Sequence, residues 1–211
     1  MSFTVFVLTG GDPVPTSLKQ RLPRADLVIA ADSGYHLAPL LGLDVDLVIG
    51  DFDSIDPGAD LSGSEVIRHP TDKDHSDLEL AFAAATARNA TDVVVVGGGG
   101  GRLDHLLANA AVIAGHNQGT VTWLTGSENV HVITSSRTIA GSAGDTVTLL
   151  ALGGDVRGVT TDGLRYPLDR ETLPFGSARG LSNVMLTSET TVSIDSGVLI
   201  AVHIPSSDDV L

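Results

Sequence analysis

Leu47-Val48-Ile49-Gly50-Asp51-Phe52-Asp53-Ser54 passes in one step from large aliphatic to acidic residues, and its reading decides the fold. Three consecutive aliphatic side chains leave no polar face, which suits a strand buried on both sides, as in a parallel sheet covered by helices. The same succession recurs along the first half of the chain. Apolar runs at 3–8, 27–31, 66–67 and 93–96 lead into Gly10-Gly11-Asp12-Pro13, Asp32-Ser33-Gly34, the stretch from His69 to Asp77, and five glycines at 97–101. Segments 34–41, 77–88 and 102–116 between them carry helical patterning. Strands alternating with helices imply right-handed βαβ units and an open, Rossmann-like α/β sheet.

Beyond residue 118 the texture changes to Val, Thr, Ser and Gly. Short runs at 146–150, 192–194 and 198–202 are separated by Gly153-Gly154-Asp155, Asp162-Gly163 and Asp195-Ser196-Gly197. Turns at that density predict an antiparallel β-sandwich or barrel. The boundary falls within 118–130, giving an α/β domain over 1–125 and an all-β domain over 126–211. The tail Ser206-Ser207-Asp208-Asp209 is expected to fray.

The 211 residues, 42% hydrophobic and 18% charged, supply ample material for a core. No apolar stretch approaches the roughly 20 residues of a membrane span. The opening MSFTVFVLTGGDP has no basic region and reads as a first buried strand rather than a signal peptide. The absence of cysteine removes disulfides and thiolate metal sites and agrees with a soluble, cytoplasmic protein. A net charge of −14 without any Lys/Arg cluster argues against nucleic acid as a partner.

In open α/β sheets ligands bind outside the carboxyl ends of the strands, and the aspartates gather at those ends. Asp51 and Asp53 are one residue apart, so an extended exit would direct both carboxylates the same way. Close carboxylates call for a cation between them, and Mg²⁺ takes one or two such groups together with phosphate oxygens. Asp32, Asp74 and Asp77 are expected on the same edge, with Asp51, Asp53 and Asp74 as the metal set. Ser76-x-x-Glu79 before an apolar stretch is a capping box, which starts a helix and puts Asp77 in its first turn, where the macrodipole favours an anion. Lys73 is placed to meet a phosphate oxygen. His69 and His75 are read as loop residues, since Mg²⁺ prefers oxygen.

The glycine run, Gly100 and Gly101 included, lets backbone amides approach a phosphate, with a helix N-terminus just beyond. No Lys-Ser or Lys-Thr follows, so it is not a Walker loop, and Arg102 takes the place of the last glycine of a dinucleotide fingerprint. Arg102, His105 and Asn109 share one helical face, a polar stripe for nucleotide, with Arg102 able to bond phosphate in a fork. Leu103, Leu107 and Ala110 are expected to form an opposite, buried stripe. Asp104 either joins the metal cluster or pairs with an arginine.

Taken in order, Ala31-Asp32-Ser33-Gly34, Gly50-Asp51-Phe52-Asp53-Ser54-Ile55, Lys73-Asp74-His75-Ser76-Asp77-Leu78-Glu79 and Gly101-Arg102-Leu103-Asp104-His105 resemble the motifs of the thiamine pyrophosphokinase family. Gly163-Leu164-Arg165-Tyr166-Pro167-Leu168 and Arg179-Gly180-Leu181-Ser182-Asn183 extend the resemblance over nearly the whole chain. It implies an enzyme that moves the terminal pyrophosphoryl unit of ATP to thiamine, giving thiamine diphosphate and AMP, in a homodimer that binds thiamine between subunits. It also implies that Asp32, Asp51, Asp53, Asp74 and Asp77 form the Mg²⁺ and phosphate region, with Asp74 or Asp77 orienting or deprotonating the thiamine hydroxyl. Arg102 and Asp104 fall on the nucleotide side, and Ser182 and Asn183 on the thiamine side.

The chain departs from the family in having Val184 where members often carry an acid. Its one tryptophan, Trp123, reads as core rather than as a stacking platform. Two other activities use the same residues: pyrophosphoryl transfer to another small alcohol such as a hydroxymethyl pterin, and non-catalytic binding of thiamine or nucleotide. The latter predicts lost acidic positions in the Mg²⁺ and phosphate region, and none is lost there. A Mg²⁺-dependent phosphohydrolase accounts less well for Arg102 and the glycine run.

Overall fold

The computed structural model describes residues 2–56, 58–116 and 118–206. The chain divides into two compact units, one made of residues 1–112 and 118–126, the other of 113–117 and 127–211.

In the first unit β1 (Thr4–Thr9), β2 (Leu27–Ala31), β3 (Leu47–Gly50), β4 (Glu65–Arg68), β5 (Asp92–Gly97) and β6 (Thr120–Leu124) lie in the order β6-β5-β1-β2-β3-β4, every pair parallel. The order reverses between β1 and β5, which opens a crevice at their carboxyl ends. Phe6, Leu8, Val28, Ala30, Val48, Val94 and Val96 pack on one face with Leu37 and Leu41 of helix α1 (Leu37–Leu41). The alternate residues Val5, Val7 and Ile29 are equally buried, and helix α2 (Asp77–Ala87) covers β1, β2 and β3. Each such side chain contributes about 1.5–3 kcal/mol on full burial. At the opposite end of the sheet the carboxylates of Asp26 and Asp46 accept from the Thr4 and Val28 amides at 2.9 and 2.8 Å. Part of the acidic character is thus structural, and those aspartates fasten strand entries.

Three expectations are corrected here. The strand near Val66 is not buried on both faces: β4 is the edge of the sheet, and Val66 is 41% exposed. The segment 34–41 is not one helix but a 3₁₀ turn, Asp32–His36, followed by the short α1. The turn packs so closely on β1 that a side chain at Gly34 would collide with the Leu8 carbonyl. In helix α3 (Leu103–Gly115), Leu103 and Leu107 are 67% and 62% exposed, and Ala110 is half-buried. The inward arc runs through Leu106, Asn109 and Ile113, beside the polar stripe rather than across from it, so the Leu103–Leu107 arc stays outside. Trp123 is core as expected, and its indole N–H donates to the Gly97 carbonyl at 2.6 Å.

The second unit holds β7 (Asn129–Ile133), β8 (Ser136–Ala140), β9 (Thr146–Ala151), β10 (Val156–Asp162), β11 (Glu171–Leu173), β12 (Asn183–Val184), β13 (Glu189–Ser193) and β14 (Leu199–Ile204). They form antiparallel layers ordered β12-β9-β14-β7 and β11-β10-β13-β8. Ile133, Val147, Leu149 and Leu199 from one layer meet Ile139, Val156, Val159, Leu173 and Val192 from the other. Of the sandwich and the barrel that the turn spacing allows, the two packed layers are the sandwich, as the family resemblance implies. Ser206 is held, its amide donating to Asp145 Oδ1 at 2.8 Å, while Ser207, Asp208 and Asp209 lie outside the described residues.

Candidate active site

Asp32 sits where β2 ends, buried and in a left-handed conformation at φ 44°, so its carboxylate turns into the crevice instead of continuing along the strand. Oxygens of Asp32, Asp51 and Asp53 all lie within 4.8 Å of one another. The exit from β3 that brings the pair together is not extended. Phe52 between them has φ 69°, and the Asp53 amide donates back to Asp51 Oδ1 at 3.2 Å. The pair therefore converges through a turn, not through the alternation of a strand. Ser54 Oγ donates to Asp53 Oδ1 at 2.7 Å.

Lys73 Nζ lies 3.2 Å from both Asp51 Oδ2 and Asp77 Oδ1. The Asp53 amide, followed by Lys73, holds the Asp51 carboxyl below its usual range despite some burial. Burial pushes the Asp77 carboxyl up more than Lys73 draws it down, and the neighbouring Asp32 and Asp51 charges add to the rise. For Lys73 burial disfavours the charge, but the ion pairs with Asp51 and Asp77 outweigh it and raise its pKa. One cation thus serves the Asp51–Asp77 side of the cluster. Among the described residues Asp32 Oδ1 is buried without a hydrogen-bond partner. A buried acceptor facing two further carboxylates is a donor set for a hard divalent cation, and Mg²⁺ or Mn²⁺ fits it.

The capping box is present in full: Ser76 Oγ accepts from the Glu79 amide at 3.2 Å, and Glu79 Oε2 accepts from the Ser76 amide at 2.7 Å. It aims the first turn of α2, and with it Asp77, into the crevice. Asp74 is exposed on the preceding loop and lies outside the three-carboxylate group, in which Asp32 stands instead. His75 lines the crevice, and its ring lies 3.6 Å from Glu79 Oε1.

On the β1 and β5 side, Gly98, Gly100 and Gly101 have φ of 71°, 66° and 64° and line the crevice just ahead of α3. Asn109 Nδ2 donates to the Gly98 carbonyl at 3.2 Å, so this residue braces the loop. Arg102, His105 and Asn109 all line the crevice, as their shared face predicts. Asp104 pairs with Arg102, at 3.1 Å from Nε and 2.5 Å from Nη2, and does not join the carboxylate cluster. That pairing draws the Asp104 carboxyl down to about 2 and raises the guanidinium.

The whole crevice measures about 550 Å³. Thr9, Gly10, Gly11, Asp12, Ser33, Ser54 and Thr71 also line it, although the sequence motifs had not singled them out for it. Asp12 follows β1 as Asp32 follows β2, so the strand-exit pattern already pointed to it. Its amide donates to the Gly99 carbonyl at 2.9 Å, locking the two loops together.

The second unit has a cavity of about 200 Å³ bordered by Tyr166, Leu168, Glu171, Arg179, Leu181 and Asn183. Tyr166 is 65% exposed, and Arg179 pairs with Glu171. The buried Asn183 amide binds backbone: Nδ2 donates to the Tyr166 carbonyl and Oδ1 accepts from the Tyr166 amide. Ser182 is exposed, with φ 56°, its amide donating to Thr148 Oγ1 at 3.0 Å, and it does not border the cavity.

The family described as thiamin pyrophosphokinase, catalytic domain, matches residues 18–123, and thiamin pyrophosphokinase, vitamin B1 binding domain, matches residues 130–199. The chain belongs to the thiamin pyrophosphokinase family. Its members are ATP-dependent diphosphotransferases. Thiamine pyrophosphokinase 3 of Oryza sativa is 26% identical over 172 residues, 72% of this chain and 62% of the relative, so the chain spans less than two thirds of that protein. Thiamine pyrophosphokinase of Bacillus subtilis is 26% identical over 163 residues, 73% of this chain and 76% of the relative. The fold matches the crystal structure of thiamine pyrophosphokinase from Bacillus subtilis with a TM-score of 0.82 at 23% identity, covering 96% of this chain and 99% of that one. No helix among the described residues is long and apolar enough to cross a membrane.

Proposed function

We propose that this chain transfers the terminal pyrophosphoryl group of ATP to the hydroxyl of thiamine, giving thiamine diphosphate and AMP. The observation that carries this is the convergence of Asp51 and Asp53 on Asp32, which itself lines a crevice together with Lys73, Asp77, Gly98, Gly100, Gly101 and Arg102. Such transfers need positioning and charge neutralisation more than covalent catalysis. Mg²⁺ bound there would supply neutralisation of phosphate charge. Asp51 and Asp53 hold it, with Asp32 as the third carboxylate in preference to Asp74. Lys73 adds a fixed positive charge beside them, and the amides of Gly98, Gly100 and Gly101 receive phosphate oxygens. Arg102 clamps the nucleotide after exchanging its fork from Asp104, while His105 and Asn109 shape the same wall.

Between Asp74 and Asp77, the latter suits the acceptor hydroxyl better, since it lines the crevice at the start of α2 and Asp74 does not. The second-unit cavity suits the thiamine side, with Tyr166 presenting a flat ring and Asn183 holding the Tyr166 backbone in place. Ser182 lies next to Asn183 in sequence but outside the cavity border, so its part on the thiamine side is the weaker of the two. In this account residues 1–125 form the ATP side and 126–211 the thiamine side, in a cytoplasmic homodimer. Exposed Leu103 and Leu107 give α3 an apolar face for the second copy. The test is acceptor competition. Offered thiamine and a hydroxymethyl pterin together with ATP and Mg²⁺, the protein is expected to diphosphorylate thiamine; diphosphorylated pterin as the main product would reassign the acceptor.

A further inference from the structure

Phe52 separates the two aspartates, and it is the residue least suited to where it stands. A bulky side chain at φ 69° occupies the left-handed region, which normally favours glycine or asparagine. Two contacts oppose its relaxation. Its ring packs on the hydrophobic cluster beneath β2 and β3. Its exposed side carries the guanidinium of Arg68, whose Cζ lies 4.2 Å from the ring centroid. Arg68 closes β4 and is paired in register with Gly50, immediately before the acidic turn, and the next amide, of His69, donates to the Gly50 carbonyl at 2.9 Å. The clamp is therefore anchored in the neighbouring strand and reaches over the turn that brings Asp51 and Asp53 together.

We infer that Phe52, pinned between the core and the Arg68 guanidinium, is a positioning residue that holds the Asp51 and Asp53 carboxylates in convergence for a divalent cation. The inference rests on the metal role of those carboxylates. Released from the stack, residue 52 relaxes toward right-handed or extended geometry. The Asp53 amide then leaves Asp51 Oδ1, and the two carboxylates diverge. Neither Phe52 nor Arg68 touches the metal or the substrates in this arrangement; both act through the backbone of the turn.

The test uses Mn²⁺ alone as probe, titrated into the full chain and followed by electron paramagnetic resonance, with thermal unfolding measured in parallel. Phe52→Leu and Arg68→Gln are expected to bind Mn²⁺ about three- to tenfold more weakly than wild type, the size of a lost cation–π contact at a partly exposed site. Phe52→Tyr, which keeps the ring, stays within about twofold, and Arg68→Gln adds nothing further in the Phe52→Leu background. The Mg²⁺ concentration for half-maximal rate moves by the same factor as Mn²⁺ binding, while the KM for thiamine stays fixed. Wild-type Mn²⁺ affinity in Phe52→Leu and Arg68→Gln, alongside loss in Asp51→Asn, overturns the positioning role. So does a loss that Phe52→Tyr shares in proportion to lowered melting temperature. Undiminished Mn²⁺ binding in Asp51→Asn instead overturns the metal assignment beneath it.

Discussion

Asn183 and Tyr166 hold each other reciprocally: Asn183 Nδ2 donates to the Tyr166 carbonyl at 2.7 Å, and the Tyr166 amide donates to Asn183 Oδ1 at 3.0 Å. This is the arrangement of a backbone pair with a side chain standing in for one strand. It makes Asn183 the fastener of the segment that presents the Tyr166 ring. Replacing it by Ala takes the side-chain partner from three part-buried backbone groups, the Tyr166 amide and carbonyl and the Val184 amide, and is expected to destabilise the fold by about 1–3 kcal/mol. Urea unfolding checks this, and an unchanged midpoint would mean that water replaces the amide without loss.

The cap of α2 has a similar role on the nucleotide side. Ser76→Ala removes the acceptor for the Glu79 amide and is expected to cost about 0.5–2 kcal/mol. Because the cap also orients Asp77, kcat should fall while the KM for thiamine stays near wild type. A stability loss with untouched kcat would separate the cap from the crevice.

Arg102 and Asp104 are exposed, so their ion pair adds little to stability. Arg102→Gln is expected to leave the melting temperature unchanged and to raise the KM for ATP on the order of tenfold, through the lost phosphate fork. Steady-state kinetics with each substrate varied in turn check it, and an equal rise for thiamine would contradict a nucleotide role.

His131 gives the sandwich unit an acid sensitivity. Burial, with the nearby Arg137 and His203 charges, pushes its pKa down from 6.5 to about 3. Between those values the unfolded chain takes up the proton more readily than the folded one. Stability is therefore complete above pH 6.5 and falls as the pH drops toward 3, with a slope from this group approaching about 1.4 kcal/mol per pH unit. Asp145, buried but held down to about 2 by the Ser206, His203 and Ser142 bonds, contributes only at lower pH. His131→Leu should flatten the stability profile between pH 6.5 and 4, as read from urea midpoints; a profile as steep as wild type would assign the slope to other groups.

Much of this was legible because local rules and tertiary structure agree. Continuous aliphatic runs became parallel strands, turn spacing became the sandwich, and Ser76 and Glu79 formed the cap that their spacing specifies. What escaped depended on packing that no local pattern records. The arc of α3 that faces inward follows from where the helix lands on the unit, so Leu103 and Leu107 emerged exposed. Asp32 displaced Asp74 from the carboxylate group because a left-handed residue at the end of β2 turned it inward, and single-sequence patterning gives no φ. The convergence of Asp51 and Asp53 was foreseen for a reason the structure replaces: the turn at Phe52, not strand alternation, brings them together.

The most direct test of the central claim resolves the nucleotides released when wild type and Asp51→Asn are each quenched after reaction with ATP, Mg²⁺ and thiamine. Wild type should yield AMP and thiamine diphosphate in equal amounts, and Asp51→Asn, with an unchanged circular dichroism spectrum, neither. ADP in place of AMP, or undiminished AMP from Asp51→Asn, would contradict the account.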